Sequence, residues 1–222
     1  MVEKYGEPFE NLSKTCKLLD YENIKKIRGK KRMFIVITGL DGSGTSTVAE
    51  QFHKIDKESF LFHTPDEVYE RKSIDNAVRD VSQWAHYLYY LSSVVYLSDY
   101  VRKNIDYKKH NVYCVRYLID TVVSHRVAGL NVDMDYERYG IIRPDLTIFV
   151  QLDEKKRQDR IKSRGKSLLD SCLDDESTRN AFLCEFEKQL TNKIIFNNEN
   201  ENISLQVEEI YYKILKRKEG KG

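Results

Sequence analysis

The stretch "GLDGSGTST", residues 39–47, interleaves glycines with hydroxyl side chains immediately after the apolar run "MFIVI". A strand that ends in such a turn and passes into a helix aims several backbone N–H groups at one point. The helix dipole favours negative charge there too, so phosphate is the natural occupant. The phosphate-binding pattern G-x-x-x-x-G-K-[ST] is met by Gly39, Gly44 and Ser46, with Thr45 standing where the lysine would be. The expected phosphate-binding set is Gly39, Gly42, Ser43, Gly44, Thr45, Ser46 and Thr47, a cradle of backbone amides and hydroxyls without a cation of its own.

The elements that must position this turn follow from hydrophobic spacing. "MFIVIT" reads as the first strand, and Val48, Ala49, Phe52 and Ile55 mark one face of a helix that begins inside the glycine turn. "SFLFH" follows as a second strand. Val81, Trp84, Leu88, Leu91 and Val95 recur at three and four residues, which predicts one helix over about residues 76–105 with a continuous apolar stripe. "NVYCV" and "LTIFVQL" are β-branched runs of buried-strand length. A charged helix over residues 154–164 comes next, and Gly165 then opens the polar stretch "GKSLLDSCLDDES", a candidate lid over about residues 160–178. Phe182, Phe186 and Leu190 lie on one face of a further helix; "NISLQ" and "VEEIYYKILKRK" are expected to supply a fifth strand and a closing helix. Strands alternating with helices predict an α/β fold with a parallel sheet covered on both faces.

Two domain-level segments result: residues 33–222 as the α/β domain, and residues 1–32 as a polar extension. The extension carries Phe9, Leu12, Cys16 and Leu19 at helical spacing and ends in the solvated basic run "KKIRGKKR". With 222 residues and 41% apolar composition the chain can bury a sizeable core. The 37 basic and 35 acidic side chains leave a net charge of only +2, so neither nucleic acid nor a membrane surface is indicated as a partner. The widely spaced cysteines Cys16, Cys114, Cys172 and Cys184 form no zinc pattern and are expected to be reduced thiols in the cytoplasm. The first residues contain no apolar targeting core, and no window reaches the length of a membrane span.

On five stretches the chain resembles the thymidylate kinase family of P-loop nucleoside monophosphate kinases, from residue 33 to about 216. The family loop G-x-D-G-x-G-K-[ST]-[ST] fits "GLDGSGTST" everywhere but Thr45. The D-R-Y motif after the third strand is matched by "VRYLIDTVVSHRVAGL", with Arg116 and Tyr117 kept and Val115 at the aspartate. "HTPDE" stands for the R-E-P-G-G loop, with His63 at the arginine, and "YLSSVV" for L-F-A-A-D-R, with Val95 at the arginine. "RPDLTIFVQLDEKKRQDRIKSRG" parallels the family's P-D-L-T strand and the helix ending E-R-I-x-x-R-G.

The resemblance implies a three-layer P-loop sandwich with strand order 2-3-1-4-5, ATP and Mg²⁺ as cofactors, a nucleotide acceptor, and dimerisation through the long helix. By resemblance Ser46 would contact Mg²⁺ and Asp41 would face the acceptor's sugar. Arg116, with Tyr117 beside it, would hold the acceptor phosphate, with His63 and the stacking candidates Tyr89 and Tyr90 also on the acceptor side. Arg160 and Arg164 would reach the donor phosphates, so the catalytic candidates are Arg160, Arg164 and Asp41. Phosphoryl transfer is catalysed mainly by positioning and positive charge. The empty lysine position therefore asks for a cation from elsewhere, for which Arg160, Arg164 and Arg126 are candidates; Asp41 or Asp120 would replace the missing strand-end carboxylate. Three readings stay open: a rewired kinase transferring the γ-phosphoryl of ATP to a nucleoside monophosphate such as dTMP, a nucleotide-binding relative without turnover serving as sensor or assembly subunit, and a kinase of the same fold with another small acceptor.

Overall fold

A computed structural model describes residues 32–69, 72–106, 109–165, 171–190, 192–199 and 202–212. At its centre lies strand β1 (Phe34–Gly39), buried along its whole length. Strands β2 (Phe60–His63), β3 (Val112–Val115), β4 (Leu146–Gln151) and β5 (Lys193–Asn197) complete a parallel sheet in the order β2-β3-β1-β4-β5, as the resemblance implied. A parallel strand covered on both faces needs an unbroken apolar run, which is what "FIVI" provides. Alternation of side chains then divides the core. Phe34 and Val36 face one layer, while Ile35 and Ile37 face the other.

Helices α1 (Thr45–Ile55), α2 (Lys72–Val81), α3 (Gln83–Asn104), α4 (Leu118–Val127), α5 (Glu154–Arg164), α6 (Glu176–Gln189) and α7 (Ile203–Ile210) connect the strands. Val48, Ala49 and Phe52 of α1 and Val207 and Ile210 of α7 cover the layer of Ile35 and Ile37. The other layer is built by α3, α4 and α6, with Phe186 of α6 packed 5.2 Å from the Phe149 ring. Each fully buried Val, Leu, Ile or Phe contributes about 1.5–3 kcal/mol. The two layers together therefore hold the C-terminal ends of the strands, where β1 runs into the glycine turn, against large opposing entropy.

Three expectations from the sequence are corrected. The helix expected over residues 76–105 is two helices, because Ser82 adopts an extended backbone and its hydroxyl caps α3 by accepting from the Ala85 N–H at 3.2 Å. The apolar stripe also shifts: Val81, Trp84 and Leu88 are exposed, whereas Leu91 is buried and Val95 packs against the core as expected, joined by Tyr87, Val94, Leu97 and Val101. The segment "NISLQ" is not the fifth strand. Residues 193–197, "KIIFN", form β5, and Asn202 caps α7, its side chain accepting from the Leu205 N–H at 3.3 Å. The extension up to residue 31 and the part of the candidate lid at residues 166–170 lie outside the described residues.

Candidate active site

The turn after β1 is fixed by close approach. A Cβ on Gly39 would sit 2.4 Å from the Val150 carbonyl oxygen on β4, so no other side chain fits there. Gly44, with φ 95°, turns the chain into α1, and a Cβ on it would meet the Asn198 Nδ2 at 2.4 Å and the Arg160 Nη1 at 2.9 Å. Helix α1 has no acidic residue in its first turn and no side-chain cap, so the amides of Thr45, Ser46 and Thr47 open towards a cavity of about 500 Å³. Its walls include Asp41, Gly42, Ser46 and Thr47 from the turn, Arg116 from the end of β3, Arg160 from α5, and Asn198 and Ile203 after β5. Ser46 and Thr47 are exposed on this cavity, whereas Thr45 is buried at 7% exposure.

Arg116 sits on that wall in a left-handed backbone, with φ 64° and its N–H bonded to the Ile37 carbonyl at 3.0 Å. Its guanidinium pairs with the Asp41 carboxylate and, at 3.1 Å, with Asp120 one turn into α4. Asp120 also accepts from the Thr38 hydroxyl at 2.6 Å and from the Tyr117 N–H at 3.0 Å. Burial pushes the Asp120 carboxyl up, opposed by the Arg116 charge and by these two donors. Asp120 thus reaches back to the ends of β1 and β3, where Val115 leaves the strand itself without a carboxylate.

The second cation is Arg160. From α5 its Nη1 lies 3.3 Å from the Ser43 carbonyl oxygen and its Nη2 3.5 Å from that of Asn198, which places the guanidinium over Gly44 beside the buried Thr45. Among the described residues no acidic side chain pairs with it. Two further residues, which sequence reasoning missed, hold this wall. Arg157 is 1% exposed; it donates to the Asp41 carbonyl at 2.8 Å, grips Glu154 with two bonds, at 2.7 and 2.8 Å, and donates to the Leu173 carbonyl at 3.4 Å. Burial works against the Glu154 charge, but Arg157, Gln158 and Arg179 together hold its carboxyl below the usual carboxylate range. Asn198, also 1% exposed, donates to the Ser43 carbonyl at 2.7 Å and so ties the glycine turn to the end of β5.

Among the described residues, other expected site residues do not line this cavity. Tyr117 is core, 1% exposed with its ring 5.0 Å from that of Phe34, and does not line the cavity. The Tyr89 hydroxyl donates to the Tyr69 carbonyl, and Tyr90 packs edge-on to His86 at 4.9 Å. His63 is exposed at the end of β2 and Arg164 ends α5, the side chain of the latter lying outside the described residues. Arg126 is held by Glu185 at 2.8 Å and by the Val132 carbonyl at 2.9 Å, which removes it as a substitute for the lysine.

The cavity suits a nucleotide with Mg²⁺. Gly44 leaves open a cradle that any Cβ would fill, the first amides of α1 face it, and the Ser46 hydroxyl and Asp41 carboxylate share its wall. No cluster of three or more metal-binding side chains occurs among the described residues. Beside phosphates and water, Mg²⁺ uses only one or two protein carboxylates.

The solved structures similar to this fold include thymidylate kinase from Candida albicans, at 18% identity and a TM-score of 0.61, over 82% of this chain and 92% of that one. Thymidylate kinase from Ehrlichia chaffeensis matches at 17% identity and a TM-score of 0.50, over 82% of this chain and 98% of that one. No curated protein matches. The family model for thymidylate kinase matches residues 37–210, from the end of β1 to the end of α7, so the chain belongs to the thymidylate kinase family.

Proposed function

We propose that this protein transfers the γ-phosphoryl group of ATP to a nucleoside monophosphate, dTMP or a close relative, with Mg²⁺, and that Arg160 supplies the positive charge a lysine at position 45 would otherwise carry. The observation that carries this reading is the Arg160 guanidinium, seated over the glycine turn at 3.3 Å from the Ser43 carbonyl oxygen and without an acidic partner among the described residues. Charge on the transferring oxygens is the main thing a phosphotransferase provides, and an arginine arriving from another element can supply such charge, as an arginine finger does. The loop amides and Ser46 take the donor phosphates and Mg²⁺; Asp41 and Arg116 face the acceptor. Mg²⁺ would neutralise the phosphate oxygens during transfer. Arg164, at the end of α5, is assigned to the donor side, and His63, Tyr89 and Tyr90 to the acceptor side.

A second reading has its own support. Thr45 is buried and uncharged, and Arg116 is already engaged by two carboxylates, which favours nucleotide binding without turnover. The Candida albicans relative is described as having broad substrate specificity, which brings other acceptors into consideration. The test is ADP release from ATP and Mg²⁺ against a panel of nucleoside monophosphates and nucleosides. Turnover with dTMP or another monophosphate is expected; turnover with nucleosides alone would reassign the acceptor, and ATP binding with no turnover on any of them would establish the binding protein.

We place the protein in the cytoplasm; no described helix is long and apolar enough to cross a membrane. We expect a homodimer through the outer face of α3, where Trp84 and Leu88 stand 53% and 56% exposed.

A further inference from the structure

Behind Arg116, three helices meet at a chain of polar side chains that the phosphoryl-transfer reading does not use. Asp75 of α2 lies 2.8 Å from the His86 Nε2 on α3. The His86 Nδ1 lies 2.8 Å from the His125 Nε2 on α4, and the His125 Nδ1 lies 2.7 Å from the Thr121 carbonyl oxygen. His125 is 2% exposed, and the side chains of His86 and Asp75 are 13% and 23% exposed, so water cannot readily replace these contacts.

The protons in this chain can be counted. A carbonyl oxygen only accepts, so the His125 Nδ1 carries a hydrogen. The Ser124 hydroxyl, 3.2 Å from the same nitrogen, donates to the Thr121 carbonyl at 3.1 Å and leaves that assignment in place. The contact between Asp75 and the His86 Nε2 needs one hydrogen, and so does the contact between the two rings. Three hydrogens are therefore required, whereas a carboxylate and two neutral imidazoles bring only two. With one proton fewer, two nitrogen lone pairs would face each other at 2.8 Å, or a lone pair would face the carboxylate.

We propose that Asp75, His86 and His125 form a partly buried array that binds one extra proton and thereby clamps α2 onto α3 and α4. The hydrogen between the rings is placed on the His86 Nδ1, because the His125 Nδ1 hydrogen is already committed to the Thr121 carbonyl and Asp75 lies directly against His86. The groups facing the array from each helix are compatible with this. Arg79 of α2 approaches Asp75 at 3.7 Å and is itself 3.6 Å from Asp80. From α3, Tyr87 and Tyr90 contribute ring contacts to His125, at 5.4 and 6.2 Å, and burial pushes both phenols well above their usual range, so they stay neutral. From α4, Ser124 and Thr121 add no charge. Tyr90 packs 4.9 Å from His86 and is held by Asp75, so the clamp also sets the position of Tyr90.

The sign follows from linkage. The folded array binds a proton that the unfolded chain releases near the ordinary histidine pKa, so its stabilisation is present at low pH and lost as the pH rises through the array's own titration. Asp75→Asn separates this from a purely structural role. An asparagine amide can donate to the His86 Nε2, leaving the His86 Nδ1 hydrogen for His125, and the chain of bonds closes with no extra proton.

The experiment uses the full chain, ¹⁵N-labelled, with histidine ring protonation read by long-range proton–nitrogen correlation at pH 7. The melting temperature of the natural protein and of Asp75→Asn is followed from pH 6.5 to 8.5. Both ring nitrogens of His86 are expected to be protonated and His125 to carry only its Nδ1 hydrogen. The melting temperature of the natural protein is expected to fall by up to about 3 °C per pH unit more than that of Asp75→Asn. Two neutral rings at pH 7, or the same pH slope in both proteins, would overturn the proposal. The ring spectrum of the natural protein decides the matter even if the variant does not fold.

Discussion

Arg116 is the one non-glycine residue among those described that adopts a left-handed backbone, with φ 64°. Such a conformation costs on the order of 1–3 kcal/mol and persists where surrounding bonds over-determine it, most often at functional sites. Here the Ile37 carbonyl, Asp41 and Asp120 do so. Truncation to alanine would leave two largely buried carboxylates unpaired, so Arg116→Lys is the better probe: it keeps the charge and loses the planar fork. We expect its KM for the acceptor to rise by roughly tenfold, the worth of one charge-assisted bond, with little change in KM for ATP. Steady-state kinetics with each substrate varied in turn would check this. The glycine turn, Asp41 and Arg116 were legible in the sequence because each is carried by a contiguous motif. Arg157 and Asn198 were not, because they reach the turn only through tertiary packing, from α5 and from the end of β5, and nothing in their neighbours' residue types marks them.

At the scale of elements, the sheet was readable because "FIVI" and "LTIFVQ" are buried on both faces and need continuous apolar runs. The end of the chain was misread: "NISLQ" alternates as a half-buried strand would, but the contiguous apolar run of "KIIFN" is the one that pairs with β4. The stripe on α3 failed for a related reason. Apolar and aromatic side chains occur all around that helix, so spacing alone cannot say which face turns inward, and packing selects Tyr87, Leu91, Val94 and Leu97. The helices around His125 also carry a pH prediction. Burial lowers the His125 pKa, so protonation of this ring is resisted by the fold and accepted by the unfolded chain. Stability should fall as the pH drops below the ordinary histidine value of about 6.5, and His125→Asn should weaken that acid dependence. Thermal unfolding between pH 5 and 6.5 would show it; equal acid slopes in the two proteins would contradict it.

At the scale of the molecule, the parallel sheet delivers every element of the site to the same edge: the glycine turn after β1, Arg116 after β3, Asn198 after β5, with α5 bringing Arg157 and Arg160 alongside. The two cations on the cavity wall differ in their engagement, Arg116 being neutralised by two carboxylates while Arg160 meets only carbonyl oxygens among the described residues. The exposed outer face of α3 bears on assembly: the natural protein should have the mass of a dimer in solution, and Trp84→Glu should shift it towards the monomer, as light scattering would read. In the proposed reaction Arg160 stands in for the missing lysine. The direct measurement is ATP turnover with a nucleoside monophosphate acceptor for four proteins: the natural one, Arg160→Ala, Thr45→Lys, and the two changes combined. Loss of one preorganised charge at the transferring phosphate costs about 10²–10³ in rate. Arg160→Ala should fall by that factor, and Thr45→Lys should restore part of it in the combined variant. An unchanged rate in Arg160→Ala, or activity that appears only when Thr45→Lys is introduced, would contradict the assignment.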